Sequence, residues 1–198
     1  MPKYHEWMKD PALLEATASE PLSFEEEMEM QQSWMEDPEK CTFIVHATDD
    51  CQALDSLPVF SVRENLEGMV GDVNLFLSDI EEEDENEKSS SETSRIQAEV
   101  DIMIAEKDYR QKGLGRAATS AMLMYGADTL KVNRFFCKIN EDNKASIKLF
   151  ESLGFVQCDY AACFKQIEFE LVKPPSELKE SLELYGSYQT LACPTNDA

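Results

Sequence analysis

The segment that most constrains this chain runs from residue 98 to residue 130, where an alternating stretch, a glycine turn and an amphipathic stretch follow one another. In Ala98 to Ala105 (AEVDIMIA), Val100, Ile102 and Ile104 fall on one face and Glu99, Asp101 and Met103 on the other. That period of two predicts a strand with two unlike faces. Arg110-Gln111-Lys112-Gly113-Leu114-Gly115 follows, and from Gly115 to Leu130 the residues Ala118, Ala121, Met122, Tyr125 and Thr129 recur at helical spacing. Where a strand feeds a helix through glycines, successive backbone N–H groups can turn toward an anion, and the helix N-terminus adds its partial positive charge. The turn therefore reads as a phosphate cradle.

Charge sharpens that reading. The chain has 40 Asp and Glu against 18 Lys and Arg, a formal net charge of -22. Such an excess opposes any sequence-independent hold on nucleic-acid phosphates or anionic lipid, so neither nucleic acid nor membrane is expected as a partner. Yet Lys107, Arg110, Lys112 and Arg116 stand against Asp108 alone, a basic island in an acidic chain. No Gly-Lys-Ser/Thr follows the glycines, so this is not a P-loop, and the third glycine and downstream acid of a dinucleotide fingerprint are missing. Taken alone, the motif is also compatible with an ordinary strand-to-helix turn carrying a solvated basic rim.

Around this unit the chain reads as mixed α/β. Tyr4 to Met8 is a short amphipathic turn, and Phe24 to Trp34 a helix with Ser23 as N-cap and Glu25, Glu26 and Glu27 in its first turn, where negative charge suits the macrodipole. Cys41 to Ala47 and Met69 to Leu77 are strand candidates, and a polar connection of about twenty residues separates them. Asp79 to Glu92 holds eight acids and one lysine, a composition expected to form a solvated loop. A strand (Phe135 to Ile139), a helix (Lys144 to Leu153) stopped by Gly154, and a final strand (Phe164 to Val172) complete the pattern. The expected organisation is one domain over 1–172 with an acidic flexible loop at about 79–94, then a partly disordered tail over 173–198 with a short helix at Ser176 to Tyr185. The six cysteines form no CxxC and no regular framework, which suggests a reduced, cytoplasmic chain whose cysteines behave mostly as small buried apolar residues. No apolar run is long enough to span a bilayer. With only His5 and His46 present, no metal site is expected.

A second motif lies about thirty residues beyond the first. Asn143-Lys-Ala-Ser-Ile-Lys-Leu-Phe-Glu-Ser-Leu-Gly-Phe155, after Asn140, resembles the second block of the GNAT superfamily of acetyl-CoA-dependent N-acetyltransferases, and the two blocks stand in that superfamily's order and spacing. The resemblance implies a mixed central β-sheet flanked by helices and acetyl-CoA as co-substrate. It implies that Arg110, Gln111, Lys112, Gly113, Leu114, Gly115 and Arg116 wrap the CoA pyrophosphate, that Met103, Ile104 and Ala105 hydrogen-bond pantetheine like an added strand, and that Asn143 touches CoA. The whole chain to about Val172 is also similar to the eukaryotic alpha/beta-tubulin N-acetyltransferase family (N-acetyltransferase nine), through Tyr4-His5-Glu6-Trp7-Met8-Lys9, Thr17-Ala18-Ser19-Glu20-Pro21-Leu22, Lys40 to Val45, Gly71 to Leu77 and Met103-Ile104-Ala105-Glu106. This implies acetylation of tubulin N-terminal amines and a cytoplasmic, microtubule-associated location.

Three departures qualify the resemblance. Members of that family open with a β-strand before the Tyr4-like segment, so a first strand that is missing or truncated, and a sheet edge left to be covered, are expected. Many superfamily members carry Tyr where Phe150 stands; a phenol there would protonate the departing thiolate, and loss of a general acid costs about 10²- to 10⁴-fold. A superfamily glutamate would fall near Lys138. Glu99, with Asp101 on the same side of the strand, is then the candidate base, the alternative being that both are ordinary rim carboxylates. A backbone N–H near Met103 is expected to polarise the thioester carbonyl.

The acceptor follows from proton affinities. An α-amine, with a pKa near 7.8, is roughly a sixth neutral at pH 7, and Lys, at about 10.4, well under one part in a thousand; the gap is roughly 3.5 kcal/mol. Weak acid and base equipment suits an N-terminal amine better than a lysine. Two other readings remain at this point: an acetyl-CoA-fold protein with little or no turnover that binds and stabilises microtubules, and a small-amine acetyltransferase whose acidic surface attracts a polyamine.

Overall fold

In the computed structural model the described residues are 2–17, 19–47, 68–80 and 95–172. Most of the acidic loop, the polar connection before Met69 and the tail, with its expected helix, lie outside them.

Two short helices open the chain, α1 (Pro2–Trp7) and α2 (Pro11–Ala16). The second was not apparent from apolar periodicity; Asp10 accepts from the Ala12 N–H and Pro11 takes the first helical position, where its missing N–H costs nothing. Helix α3 (Phe24–Glu36) begins as expected at Ser23, which forms a reciprocal capping box with Glu26. Six strands and two further helices follow: β1 (Lys40–His46), β2 (Met69–Asp79), β3 (Ile96–Ile104), α4 (Leu114–Asp128), β4 (Val132–Asn140), α5 (Lys144–Leu153), β5 (Phe155–Ala161) and β6 (Gln166–Leu171). Gly154 closes α5 in the left-handed conformation, with φ 95°.

The strands form one mixed sheet in the order β1-β2-β3-β4-β6-β5. All neighbours are antiparallel except β3 and β4. Strand β1 stands at one edge, paired only with β2. On one face, Val73, Leu75 and Val100 meet Met122 and Leu123 of α4 and Phe150 of α5 in the main core. The other face is covered by the N-terminal helices: Trp7 and Leu13 pack with Met69, Met103 and Ala105, and Trp34 meets Phe76 edge-on. The sheet therefore has helices on both faces, the mixed α/β architecture expected from the order of elements.

Two expectations are corrected. Phe164 lies in a turn and is 72% exposed, so the final strand starts at Gln166. Before it stands β5, which the pattern did not reveal because every residue after Phe155 is exposed and no apolar face alternates. Among the cysteines, Cys137 is buried and Cys41 half-buried, but Cys158 and Cys163 sit exposed on the β5–β6 hairpin; a hairpin at the sheet's end leaves them no core to enter.

Candidate active site

The site is made by a strand pair that parts. Strands β3 and β4 are in parallel register only from Ile96 to Glu99, opposite Val132 to Phe136. Beyond Glu99 they separate, and a cavity of about 750 Å³ opens between Val100–Ile104 on one side and Cys137–Ile139 on the other. Leu13, Ala16 and Thr17 of α2 form a wall that sequence reading missed, and α2 is tied to β4 by Asn140, whose Nδ2 donates to the Glu15 carbonyl at 3.0 Å.

At one end of the cavity lie the glycine turn and the start of α4. Gln111 and Gly113 both have positive φ, 60° and 85°, and Gly113 is the N-cap of α4. No side chain caps that first turn, and helix N-termini favour anions. Gln111, Gly113, Gly115, Arg116 and Arg110 line the cavity here; Leu114 and Lys112 do not. A Cβ at Gly115 would stand 3.6 Å from Leu149 Cδ2 and 3.7 Å from Ile104 Cγ1, so apolar side chains border the turn here. An uncapped helix start with arginines at its rim, opening into a mostly apolar cleft, fits a diphosphate carrying an extended thioester arm.

The basic island is less free than its sequence suggests. Arg110 donates through Nε to the Ile104 carbonyl at 2.8 Å and through Nη2 to the Ala105 carbonyl at 3.0 Å. Lys107 pairs with Asp10, and Lys112 lies 5.4 Å from the Tyr109 ring centroid. Met103 and Ile104 reach the cavity, whereas Ala105 is buried and its N–H donates to the Val70 carbonyl at 2.9 Å. Asn143 lines the cavity as N-cap of α5, its Oδ1 accepting from the Ser146 N–H at 3.1 Å.

The two carboxylates of β3 have different surroundings. Glu99 stands beside Lys138, Oε2 to Nζ 3.4 Å, and is not on the cavity wall. Asp101 is on the wall, where its Oδ1 accepts from the Ile102 N–H at 2.8 Å, one residue before the Met103 N–H expected to act on the carbonyl. Burial raises the Asp101 carboxyl above its ordinary range, opposed by that N–H and assisted by Glu99. Burial and the nearby acids also push the Cys137 thiol up, so it lines the cavity as a neutral group. Phe150 is 3% exposed and packs edge-on against Phe155 at 5.0 Å, a core residue that also touches the cavity. Among the described residues no group of three His, Cys, Asp or Glu side chains is placed to hold a metal ion, and no helix is long and apolar enough to cross a membrane.

Comparison with known proteins bears on the family and the fold. A family model described as an acetyltransferase (GNAT) domain matches residues 1–156. The chain is 41% identical over 181 residues to the human protein named alpha/beta-tubulin-N-acetyltransferase 9, covering 91% of this chain and 79% of that one. It is 42% identical over 167 residues to an N-acetyltransferase 9-like protein of Nematostella vectensis, covering 84% and 75%. Among solved structures, spermidine N-acetyltransferase from Vibrio cholerae in complex with CoA and spermine superposes with a TM-score of 0.64 at 17% identity, over 90% of this chain and 91% of that one, a likeness of fold.

Proposed function

Because the chain belongs to the GNAT acetyltransferase family and moves the acetyl group of acetyl-CoA onto an amine, we propose that its acceptor is the α-amine of a protein N-terminus, with the tubulin chains as the substrate, and that the amine's proton leaves through Asp101. The observation that carries the reading is the position of Asp101, a raised carboxylate on the wall of the cleft where β3 and β4 part. The choice of tubulin is supported by the human and Drosophila melanogaster relatives, both named alpha/beta-tubulin-N-acetyltransferase 9.

The residues divide the work by location. The uncapped start of α4, with Gly113, Gly115 and Arg116, holds the diphosphate, and Met103, Ile104 and Asn143 border the arm that leads to the thioester. Asp101 takes one proton from the acceptor's ammonium group; the freed lone pair attacks the thioester carbonyl carbon, the carbon–sulfur bond breaks, CoA leaves as thiolate, and the second proton, now acidic on the acylated nitrogen, passes to that thiolate or to water. An α-amine needs far less help to deprotonate near neutral pH than a lysine side chain does. Glu99, engaged with Lys138, acts through its charge on Asp101.

The observation weighing toward slow turnover is Phe150, which offers no proton to the thiolate. The decisive experiment incubates the purified chain with acetyl-CoA and peptides bearing tubulin N-terminal sequences, with the α-amine free or blocked, and locates the acetyl group by mass spectrometry. Acetyl on the free α-nitrogen alone is the expected result. Transfer to lysine side chains only, or microtubule binding with no transfer, overturns the reading.

A further inference from the structure

Behind Asp101, on the face of the sheet covered by the N-terminal helices, lies a second carboxylate. Asn74 of β2 stands directly opposite Asp101 in the antiparallel register, and Asp72, opposite Met103, is the next residue on the same face. Direct partners in such a pair have Cβ atoms about 5 Å apart and diagonal ones about 7–8 Å. Asp72 is 4% and Asn74 2% exposed. Asn74 Nδ2 donates to Asp72 Oδ2 at 3.3 Å, while Asp72 Oδ1 and Asn74 Oδ1 have no hydrogen-bond partner.

Among the described residues Asp101 of β3 is the charged group that acts on this carboxylate, and Tyr4 of α1 stands within reach of both. Around them lie Glu27 of α3, which acts on Tyr4, and Glu99 of β3, which acts on Asp101. Glu27 is held by His5 at 2.9 Å and Glu99 by Lys138 at 3.4 Å. Strand β1 contributes Thr42 opposite Asn74 and Ile44 opposite Asp72, both uncharged. A buried carboxylate without a cation is costly, and packing alone gives no reason for one; Asn or Leu would fill the place at less cost. What Asp72 does have is the acid of the cavity wall, Asp101, as its diagonal neighbour across β2 and β3.

We propose that Asp72 is a positioning residue for the transfer reaction, a buried second carboxylate whose negative charge, one diagonal step away across β2 and β3, makes Asp101 a stronger base for the proton taken from the acceptor amine. The inference rests on the reading of Asp101 as proton acceptor. With both carboxylates ionised, their repulsion raises the affinity of the pair for one proton; when Asp101 takes that proton from the ammonium nitrogen, an N–H bond is exchanged for an O–H bond and the pair retains one negative charge. Burial first, then the charge of Asp101, raise Asp72 to about 7; burial and the charge of Glu99 raise Asp101 as well, and a carboxylate of raised proton affinity is the better base.

The test has two parts. Asp72→Asn keeps the shape and removes the charge. In the variant the acidic limb of kcat/KM for the amine moves about one pH unit lower and the plateau falls several-fold, with the KM for acetyl-CoA unchanged. In parallel, carbon-13 NMR of the wild-type carboxyl groups, with Asp72→Asn and Asp101→Asn used for assignment, shows Asp72 and Asp101 titrating as a coupled pair, each with two inflections. Independent one-step titrations, or an acidic limb unmoved by Asp72→Asn, overturn the proposal; the wild-type titration decides it even if the variant folds poorly. Full activity in Asp101→Asn is a different failure, that of the base assignment itself.

Discussion

Asp101 accepts the backbone N–H of its own neighbour, Ile102, at 2.8 Å on the wall of the cleft where β3 has lost its partner. A carboxylate that satisfies the backbone of its own strand is also held in place on the cavity wall, with one oxygen anchored by that N–H. In Asp101→Asn the shape survives and the proton acceptor does not. A fall in kcat of about 10²- to 10⁴-fold, with the KM for acetyl-CoA within twofold, is expected from steady-state kinetics.

Gly113 begins α4 with φ 85° and nothing within 4 Å of where a Cβ would stand. In Gly113→Glu the left-handed backbone costs about 1–2 kcal/mol of stability, and a carboxylate competes at the anion-binding helix start. Calorimetry should show acetyl-CoA binding at least tenfold weaker, while far-UV circular dichroism stays unchanged. Equal affinity would remove the diphosphate from this turn.

At Gly71 the constraint is packing. A Cβ there would lie 1.9 Å from the Met103 carbonyl oxygen, a backbone atom of the adjoining strand. Gly71→Ala must push β2 and β3 apart at the level of Met103, and a loss of at least ~3 kcal/mol is expected, measured as a lowered denaturant midpoint or as insoluble expression.

Stability should depend on pH through Asp72. Its carboxyl is raised to about 7 in the folded chain against about 3.9 unfolded, so between those values the native state binds more protons and stability falls as pH rises. Above about 7 this loss is complete; below about 4 it is absent. Asp72→Asn should therefore raise the Tm relative to wild type at pH 8 and lose that advantage by pH 4.

Phe150 packs against Phe155 and also touches the cavity. Phe150→Tyr places a phenol where a proton donor for the thiolate is absent. A several-fold gain in kcat at some cost in Tm is the expected trade, read from initial rates and thermal melts; an unchanged kcat would mean that protonation of the thiolate does not limit turnover.

The parts legible from sequence were those in which one local pattern decides. Ser23 with Glu26, Gly154 after Leu153 and the alternation of Ala98 to Ala105 each carry a signal at short range. Strand β5 carried none, because its exposed residues need no apolar face, and α2 showed itself only through Asp10-Pro11. Alternation also assigns a face without assigning depth. Glu99 and Asp101 share a side of β3, but only the parting of β3 and β4 beyond Glu99 places the second in the cavity and leaves the first beside Lys138. Nothing local in MVGDVNLFL marks Asp72 and Asn74 as buried; the N-terminal helices, folding back from distant sequence, cover that face.

That parted pair also has a mechanical meaning. Three strands lie on one side of the β3–β4 seam and three on the other, and the seam itself spans only Ile96 to Glu99. A sheet closed at one end and split at the other behaves as a spring clip, with α4 and α5 as its bracing. Whatever wedges into the split joins the two halves, so substrate binding should slow amide exchange in strands that it never touches.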